Sequence, residues 1–371
     1  MSCYFYELRR FRLFVGVTCR YLLPVVVFST VVTNVLVCVV LLKPNMRTAT
    51  NTILVAMAIS NILTGVWPLP CYLYFYIGGH YRDWMPHRWC NIYYLLTDNL
   101  PTIFHTASIW LTVALGIQRY VCVCHSTHAK EWCTVVNAVR IAVTINVAAF
   151  LSQVSRFFHY DYVQVSVRSL VDPEVLVYAC VQKVNALVRG HADIHFNVYY
   201  WFRVVFIHLV PCFLLVIVNA LLVQTIRVAQ RRRFQLLKQN RKSECRRLAE
   251  SNGTTMMLVT VVGVFLLVEF PLAILFIIVI VENTILDENV RLMEPNSTEI
   301  ASMCINLFIM LSYSVNFFIY CGTSTQFRNT FKELFARKHN SFEQRPGRRG
   351  EQSVLCTEVE QILNVNQNSA L

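Results

Sequence analysis

The stretch CNIYYLLTDNLPTIFHTASIWLTVALGIQRYVCVC, from Cys90 to Cys124, decides the fold. A helix needs about 20 mostly apolar residues to span a bilayer, and this stretch is long and apolar enough to do so. Near its end stands Gln118-Arg119-Tyr120, which places a fixed positive charge at one edge of an apolar helix. Because arginines at helix ends often extend to the membrane surface, this motif alone does not establish a function.

Six further apolar stretches accompany this one in a chain that is 56% hydrophobic and 15% charged. A soluble domain carries about 25% charged residues. Only helices or closed barrels satisfy their backbone groups in lipid, and uniformly apolar runs do not alternate as barrel strands do. We therefore predict an all-α membrane protein, a seven-transmembrane helix bundle. The predicted spans are Tyr21–Leu42, Thr50–Tyr76, Cys90–Cys124, Asn137–Phe158, Tyr199–Ala229, Asn252–Val281 and Ser297–Cys321.

The chain outside the spans contains no predicted soluble domain. After the seventh span, Phe327, Phe331, Leu334 and Phe335 share one helical face, which predicts a short amphipathic eighth helix on the membrane surface. The predicted domains are a short extracellular N-terminus (1–20), a transmembrane domain (21–323), the amphipathic helix (324–336) and a disordered cytoplasmic tail (337–371).

Basic residues indicate the orientation. If the N-terminus is outside, Lys and Arg are more numerous in the inner segments, above all in RRRFQLLKQNRKSECRR, from Arg231 to Arg247. We expect a multi-pass protein of the plasma membrane, with glycosylation at Asn296 in the outer sequon Asn296-Ser297-Thr298. The net charge of +12 then reflects a basic surface against the lipid bilayer, and a nucleic-acid partner is not expected.

Three motifs together suggest a family. Gln118-Arg119-Tyr120 is joined by Asn316-Phe317-Phe318-Ile319-Tyr320 at the end of the seventh span, and by Pro211 and Pro271 within the fifth and sixth. With them the chain resembles the rhodopsin-like G-protein-coupled receptors from about residue 21 to 336. The resemblance implies a heterotrimeric G protein as partner, and arrestin as a further one. It implies an activation switch and G-protein coupling surface at Gln118, Arg119, Tyr120, Asn316 and Tyr320, with Arg119 bonded locally at rest.

The resemblance also implies a disulfide between Cys90 and Cys180 that fastens the second outer loop over a ligand pocket. Two unpaired thiols are the alternative. Two residues depart from the family. Asn61 stands where the family carries an aspartate that holds sodium, and Phe317 stands where the family carries a proline. Because an amide has no charge to hold a cation, sodium binding is not expected at Asn61. We predict no metal and no cofactor.

Glu269, in FLLVEFPLAILF, is an ionisable residue in the membrane interior. Such residues are rare and usually face the bundle interior or a cavity, although a neutral packing acid is the simpler interpretation. His105 precedes Arg119 by 14 residues, which raises it about 21 Å along the third helix, to a depth similar to that of Glu269. We hypothesise that His105 and Glu269 pair across the floor of the ligand pocket.

Other polar residues are predicted to line this pocket. They lie on the outer halves of the third, fourth and fifth spans and are Asp98, Asn99, Gln153, Arg156, Arg203 and His208. A polar, partly charged cavity suits a peptide better than an amine. Pro101, also a predicted pocket residue, stands where receptors for amines carry an aspartate.

The segments LPTIFHTASIWLTVALGIQRYVCVCH (100–125), SRFFHYDY (155–162) and NFFIYC (316–321) are more specific. They resemble the sex-peptide and myoinhibitory-peptide (allatostatin-B) receptor group. This resemblance implies an extracellular neuropeptide ligand, amidated and with spaced tryptophans, and Gi/o coupling.

Two other functions stay open from the residues. An ion-coupled transporter or channel would use the interior Glu, His and Arg as an ion pathway, but no internal repeat supports it. A receptor-like protein that has lost signalling would explain the family departures. No HExxH, GxSxG or P-loop pattern is present, so no enzyme is predicted.

The last residues, Ser369–Leu371, resemble a ligand of PDZ proteins.

Overall fold

The structure, a computed structural model, describes residues 18–80, 83–125, 129, 131–238, 242–284 and 295–335. Within these ranges seven helices are long and apolar enough to cross a membrane, which confirms the predicted bundle. They are α1 (Arg20–Leu41), α2 (Ala49–Ile77), α3 (His87–Cys124), α4 (Val135–Phe158), α5 (Ala192–Arg231), α6 (Thr255–Ile278) and α7 (Ile300–Thr323). A short helix, α8, follows at Thr325–Phe335. Its predicted place on the membrane surface stays a prediction, and the predicted tail with its PDZ motif lies outside the described residues.

Several helices continue beyond their apolar spans. The helix that contains α5 continues to Lys238. The helix that contains α6 covers Lys242–Thr284, and the helix that contains α7 begins at Pro295. Helix α5 begins at Ala192, before the predicted Tyr199. Hydropathy detects only the part of a helix that lies in lipid, whereas backbone hydrogen bonds continue the helix into polar sequence.

Two of the wide, π-helical turns in the described spans come just before prolines in α3 and α5. Leu95–Asn99 precedes Pro101 in α3, and Arg203–Leu209 precedes Pro211 in α5. A proline has no N–H to donate, and a local change of helical pitch lets nearby carbonyls find other donors. Single wide turns of this kind often lie at functional sites. Four of the predicted pocket residues lie in these two turns: Asp98, Asn99, Arg203 and His208.

Polar side chains connect α1, α2, α3 and α7 at mid-membrane. Asn34 Nδ2 donates to the Tyr313 carbonyl at 3.2 Å, Asn61 Nδ2 donates to Asn34 Oδ1 at 3.4 Å, and the Ser108 hydroxyl donates to Asn61 Oδ1 at 2.7 Å. Interhelical hydrogen bonds in membranes contribute about 0.6 kcal/mol each. The Asn61 amide is therefore engaged by two neighbours.

Helix α3 lies at the centre of the bundle, where it contacts α2, α4, α5 and α6. The bundle turns large apolar side chains outward, among them Phe28, Phe213 and Leu267. In water such a surface would be unfavourable, but lipid tails solvate it. Polar groups are accordingly kept inside, as shown by Glu269, which is 2% exposed.

A β-hairpin, which is not predicted from the sequence, covers one end of the bundle, the end that the basic residues predict to be outside. Strand β1 (Tyr160–Arg168) pairs antiparallel with β2 (Leu176–Val184), with Gln164 opposite Cys180. An isolated two-stranded hairpin is marginally stable. Here a disulfide joins Cys180 of β2 to Cys90 of α3, so the predicted pairing is present and anchors the hairpin.

Asp83, in the loop between α2 and α3, gives the hairpin a second attachment. Its carboxylate accepts hydrogen bonds from the Ser169 hydroxyl at 2.6 Å and from the backbone N–H groups of Leu170 and Trp84 at 2.9 and 2.8 Å. Burial by itself would raise the pKa of Asp83, but these three hydrogen bonds lower it below its ordinary value. The attachment is therefore present at neutral pH and is lost as the pH falls through this lowered pKa.

Candidate functional site

A cavity of about 320 Å³ opens beneath the hairpin. Side chains from α2 to α7 and from both strands line it, so the hairpin forms part of its wall. Six of the predicted pocket residues are among the lining: Asp98, Asn99, Pro101, His105, Arg156 and Arg203. His208 and Glu269 are not; they lie immediately behind His105 and are almost fully buried.

One wall carries an ion pair between α3 and α4. An Arg156 guanidinium nitrogen donates to an Asp98 carboxylate oxygen, and the other terminal nitrogen donates to the Tyr199 hydroxyl at 2.9 Å. The Tyr199 hydroxyl donates in turn to Gln153 Oε1 at 3.1 Å. Arg156 is 9% exposed and Asp98 is 29% exposed, so the pair is shielded on one side and faces the cavity on the other. This network fixes the outer halves of α3, α4 and α5 relative to one another.

Arg203 adds a second guanidinium to the cavity. It lies over the Phe276 ring, 4.6 Å from its centroid, which is a favourable cation–π position. Within the described part of the chain it forms no salt bridge, and its buried Nε atom has no hydrogen-bond partner. A shielded donor without an acceptor costs free energy, so a ligand oxygen placed here would be strongly favoured.

Glu269 lies at the cavity floor and bridges three helices. Its Oε1 lies 3.4 Å from His105 Nε2, at ion-pair distance, as hypothesised. Its Oε2 lies 3.3 Å from His208 Nδ1, a contact the sequence analysis does not predict. His105 Nδ1 is hydrogen-bonded to the Tyr313 hydroxyl at 2.6 Å. One carboxylate of α6 is therefore hydrogen-bonded to the His208 imidazole of α5 and lies at ion-pair distance from the His105 imidazole of α3. In the described part of the chain His105 Nε2 has no hydrogen-bond partner.

His159, just beyond α4, lines the cavity beside Arg156. Burial, with smaller effects of Arg156 and His195, lowers the pKa of His159 to about 4. Its imidazole is thus neutral at physiological pH, so it adds a polar surface to the cavity without adding a positive charge.

Two contacts in this site are not predicted from the sequence. The sequence predicts Asp98 and Arg156 as separate pocket residues and pairs His105 with Glu269, whereas the structure joins Asp98 to Arg156 and gives His105 a second partner, Tyr313. Both partners carry a weak signal: each is a polar residue inside or at the end of an apolar span, and such residues usually face the interior.

The end of α3 that is predicted to face the cytosol carries the predicted switch motif. Gln118 is buried, and Arg119 Nε is buried without a hydrogen-bond partner in the described part of the chain. The local bond expected for Arg119 from the family resemblance is thus not formed through this atom. The Tyr120 ring lies edge-on to His125, with centroids 5.6 Å apart.

The other predicted switch residues lie on α7, apart from this motif. Asn316 borders a small cavity with Asn61, Ser108 and Tyr313. Tyr320 is 2% exposed and packs against Phe327, with ring centroids 5.7 Å apart. The structure therefore places Tyr320 against the start of α8. The predicted glycosylation site Asn296 lies in the first turn of the helix at Pro295–Thr323, and its side chain lies outside the described residues.

A seven-helix membrane bundle with a polar cavity under a disulfide-anchored hairpin has the architecture of a transmembrane receptor. The sequence matches the family described as "Serpentine type 7TM GPCR chemoreceptor Srw" over residues 21–338. The chain belongs to the seven-transmembrane G-protein-coupled receptors. It is accordingly a multi-pass membrane receptor and not an enzyme, and the transporter or channel alternative is not favoured.

Two similar proteins are named as receptors and a third as a receptor-related protein. The chain is 40% identical to the sex peptide receptor of Drosophila melanogaster over 318 residues, which cover 85% of this chain and 72% of that protein. It is 36% identical to the sex peptide receptor-related protein 2 of Caenorhabditis elegans over 319 residues, covering 84% and 70%. The FMRFamide receptor of D. melanogaster is 25% identical over 335 residues, covering 88% and 55%.

Proposed function

We propose that this protein is a plasma-membrane receptor for an extracellular neuropeptide, with its N-terminus outside, and that it activates a heterotrimeric G protein of the Gi/o type. The ligand class is an amidated, myoinhibitory-type peptide. The cavity under the hairpin carries the proposal, since it lies within the helices and offers donors and acceptors on several sides. The names of the relatives, which include a sex peptide receptor, a sex peptide receptor-related protein and an FMRFamide receptor, support a peptide ligand.

The proposed site follows from this geometry. The peptide enters beneath the hairpin and contacts Asp98, Asn99, Pro101, His105 and Arg203, and Glu269 and His208 respond from below. A ligand can shift a conformational equilibrium only by binding one state more tightly than the other. The bridge at Glu269 supplies such a difference, because it joins three helices within reach of the cavity floor.

The proposed inner surface comprises Gln118, Arg119, Tyr120, Asn316 and Tyr320. The amphipathic helix, the cytoplasmic tail and glycosylation of Asn296 belong to the same proposal. Arrestin, and a PDZ protein at Ser369–Leu371, are proposed as further intracellular partners.

The direct test expresses the full chain in cells and measures G-protein activation by a panel of synthetic neuropeptides. Amidated peptides with two spaced tryptophans should activate it, and the same peptides with a free carboxylate should be weaker. Response to a different peptide class alone would contradict the subgroup assignment. Ligand-gated current without nucleotide exchange would contradict the receptor mechanism.

Arg203→Gln is expected to lower agonist potency by roughly tenfold or more, because hydrogen bonds to charged groups contribute about 1.5–3 kcal/mol. The agonist potency at Arg203→Lys should lie between those at wild type and at Arg203→Gln, because lysine keeps the positive charge but lacks the planar guanidinium with its several N–H donors. Concentration–response curves measure the effect at matched surface expression. The control is Arg189→Gln, because Arg189 is exposed and its side chain donates to the Val184 carbonyl. If the agonist is equally potent at Arg203→Gln and wild type, Arg203 does not contribute to agonist binding.

A further inference from the structure

Two free cysteines contact each other next to the switch motif of α3. Cys122 lies on α3 three residues after Arg119, and Cys133 lies just before α4. Their sulfur atoms are 2.6 Å apart, and Cys133 Sγ lies 3.7 Å from the Gln118 carbonyl oxygen. Both side chains are partly exposed. Elsewhere in the described part of the chain, no two free cysteines are hydrogen-bonded to each other.

We propose that Cys122 and Cys133 form an oxidation site: a peroxide converts the two thiols into a reversible disulfide that lowers coupling to the G protein. The contact requires little rearrangement, since the sulfurs need to approach by only about 0.5 Å to reach disulfide length. The inference rests on the proposed orientation and function, because both place this pair on the cytosolic side. Disulfides in that compartment are usually transient and often redox-sensing.

The chemistry balances with hydrogen peroxide as the oxidant. One thiol attacks a peroxide oxygen, the O–O bond breaks, and a sulfenic acid and one water form. The second thiol then attacks the sulfenic sulfur, so that the S–S bond forms, the S–O bond breaks and a second water leaves. Two thiols and one peroxide thus give one disulfide and two waters, and cellular thiols can reverse the oxidation by exchange.

The effect on signalling follows from the position of the pair. Both sulfurs lie within electrostatic range of the Arg119 guanidinium. A disulfide would close the segment 122–133 into a ring and hold the chain before α4 against the turn that carries Arg119. Docking of a G protein that needs this segment to move would then be disfavoured, whereas the ligand cavity at the other end of α3 would be unaffected.

The test uses the full chain in lipid nanodiscs. The receptor is treated with hydrogen peroxide, catalase removes the excess, and only then is a purified Gi/o heterotrimer added, so that the G protein is never oxidised. Mass spectrometry of non-reduced, alkylated digests detects the 122–133 cross-link, and agonist-free nucleotide exchange measures coupling. The variants are Cys122→Ser/Cys133→Ser and, as a matched control, Cys124→Ser, which removes an exposed thiol on the same helix.

We expect the cross-link in wild type and in Cys124→Ser. In both, oxidation should lower nucleotide exchange roughly fivefold, which is at the lower end of the range for energetic coupling between two sites. A reductant should restore the exchange. The double variant should show neither effect. A missing cross-link under conditions that oxidise Cys124, or a cross-link that leaves exchange unchanged, would overturn the proposal. Exchange that is absent even from the reduced receptor would instead count against the proposed function, and the mass spectrum still decides whether the disulfide forms.

Discussion

Glu269→Gln should raise agonist-free nucleotide exchange and alter agonist potency, each by about tenfold. The carboxylate bridges His105 of α3 and His208 of α5 from its position on α6, at 3.4 and 3.3 Å. A glutamine has nearly the same shape but no charge and only one acceptor oxygen, so it cannot accept hydrogen bonds from both imidazoles on separate oxygens. The loss of one charge-assisted contact is worth about 1.5–3 kcal/mol, and 1.4 kcal/mol corresponds to a factor of ten.

The direction follows from the geometry. Any movement of α6 away from α3 and α5 must break the bridge, so a weaker bridge lowers the free-energy cost of that movement. Exchange on purified G protein measures it at equal receptor concentration. Tyr313→Phe is the matched control, because it removes the other partner of His105 and leaves the carboxylate bridge in place. Unchanged basal exchange and potency in correctly folded Glu269→Gln would show that Glu269 is only a packing acid.

We expect Asp98→Asn and Arg156→Gln each to destabilise the receptor by about 3 kcal/mol. This is the low end of the cost of removing one partner from a buried ion pair, because Asp98 faces the cavity and is only partly buried. The single changes leave either a shielded guanidinium or a shielded carboxylate without its partner. Thermal unfolding of purified receptor should show melting temperatures lower by roughly 6 °C. Asp172→Asn, at an exposed position in the turn of the hairpin, should change stability by less than about 0.5 kcal/mol.

A double-mutant cycle separates the pair from other effects of the two substitutions. Because Asp98→Asn/Arg156→Gln removes both charges, its cost should be smaller than the sum of the single costs by about 1–3 kcal/mol. Strict additivity would show that the two side chains act independently. Agonist potency, measured in parallel, shows whether the same pair also contacts the ligand.

The seven spans were predictable because the signal is local. Each needs only a run of apolar residues, and lipid leaves the backbone few alternatives to a helix. The pairing of His105 with Glu269 was also within reach of the sequence, since the rise of a regular helix gives the depth of a residue. The disulfide of Cys90 came from family resemblance, and the structure contains it.

The contacts around the cavity required the tertiary structure. Whether Asp98 meets Arg156, and whether His208 meets Glu269, depends on how α3 and α5 are rotated about their axes. The wide turns at Leu95–Asn99 and Arg203–Leu209 change that rotation, so extrapolation at 3.6 residues per turn fails beyond them.

The sequence by itself therefore determined the membrane class, the number of spans and the residue types available for a polar interior. Only the tertiary structure decided which of those residues meet, that a hairpin covers the cavity, and that Cys122 lies against Cys133. The physical reason is that burial of apolar surface in lipid depends on composition along the chain. Pairing of polar side chains depends instead on distances of a few ångströms between helices that are far apart in sequence.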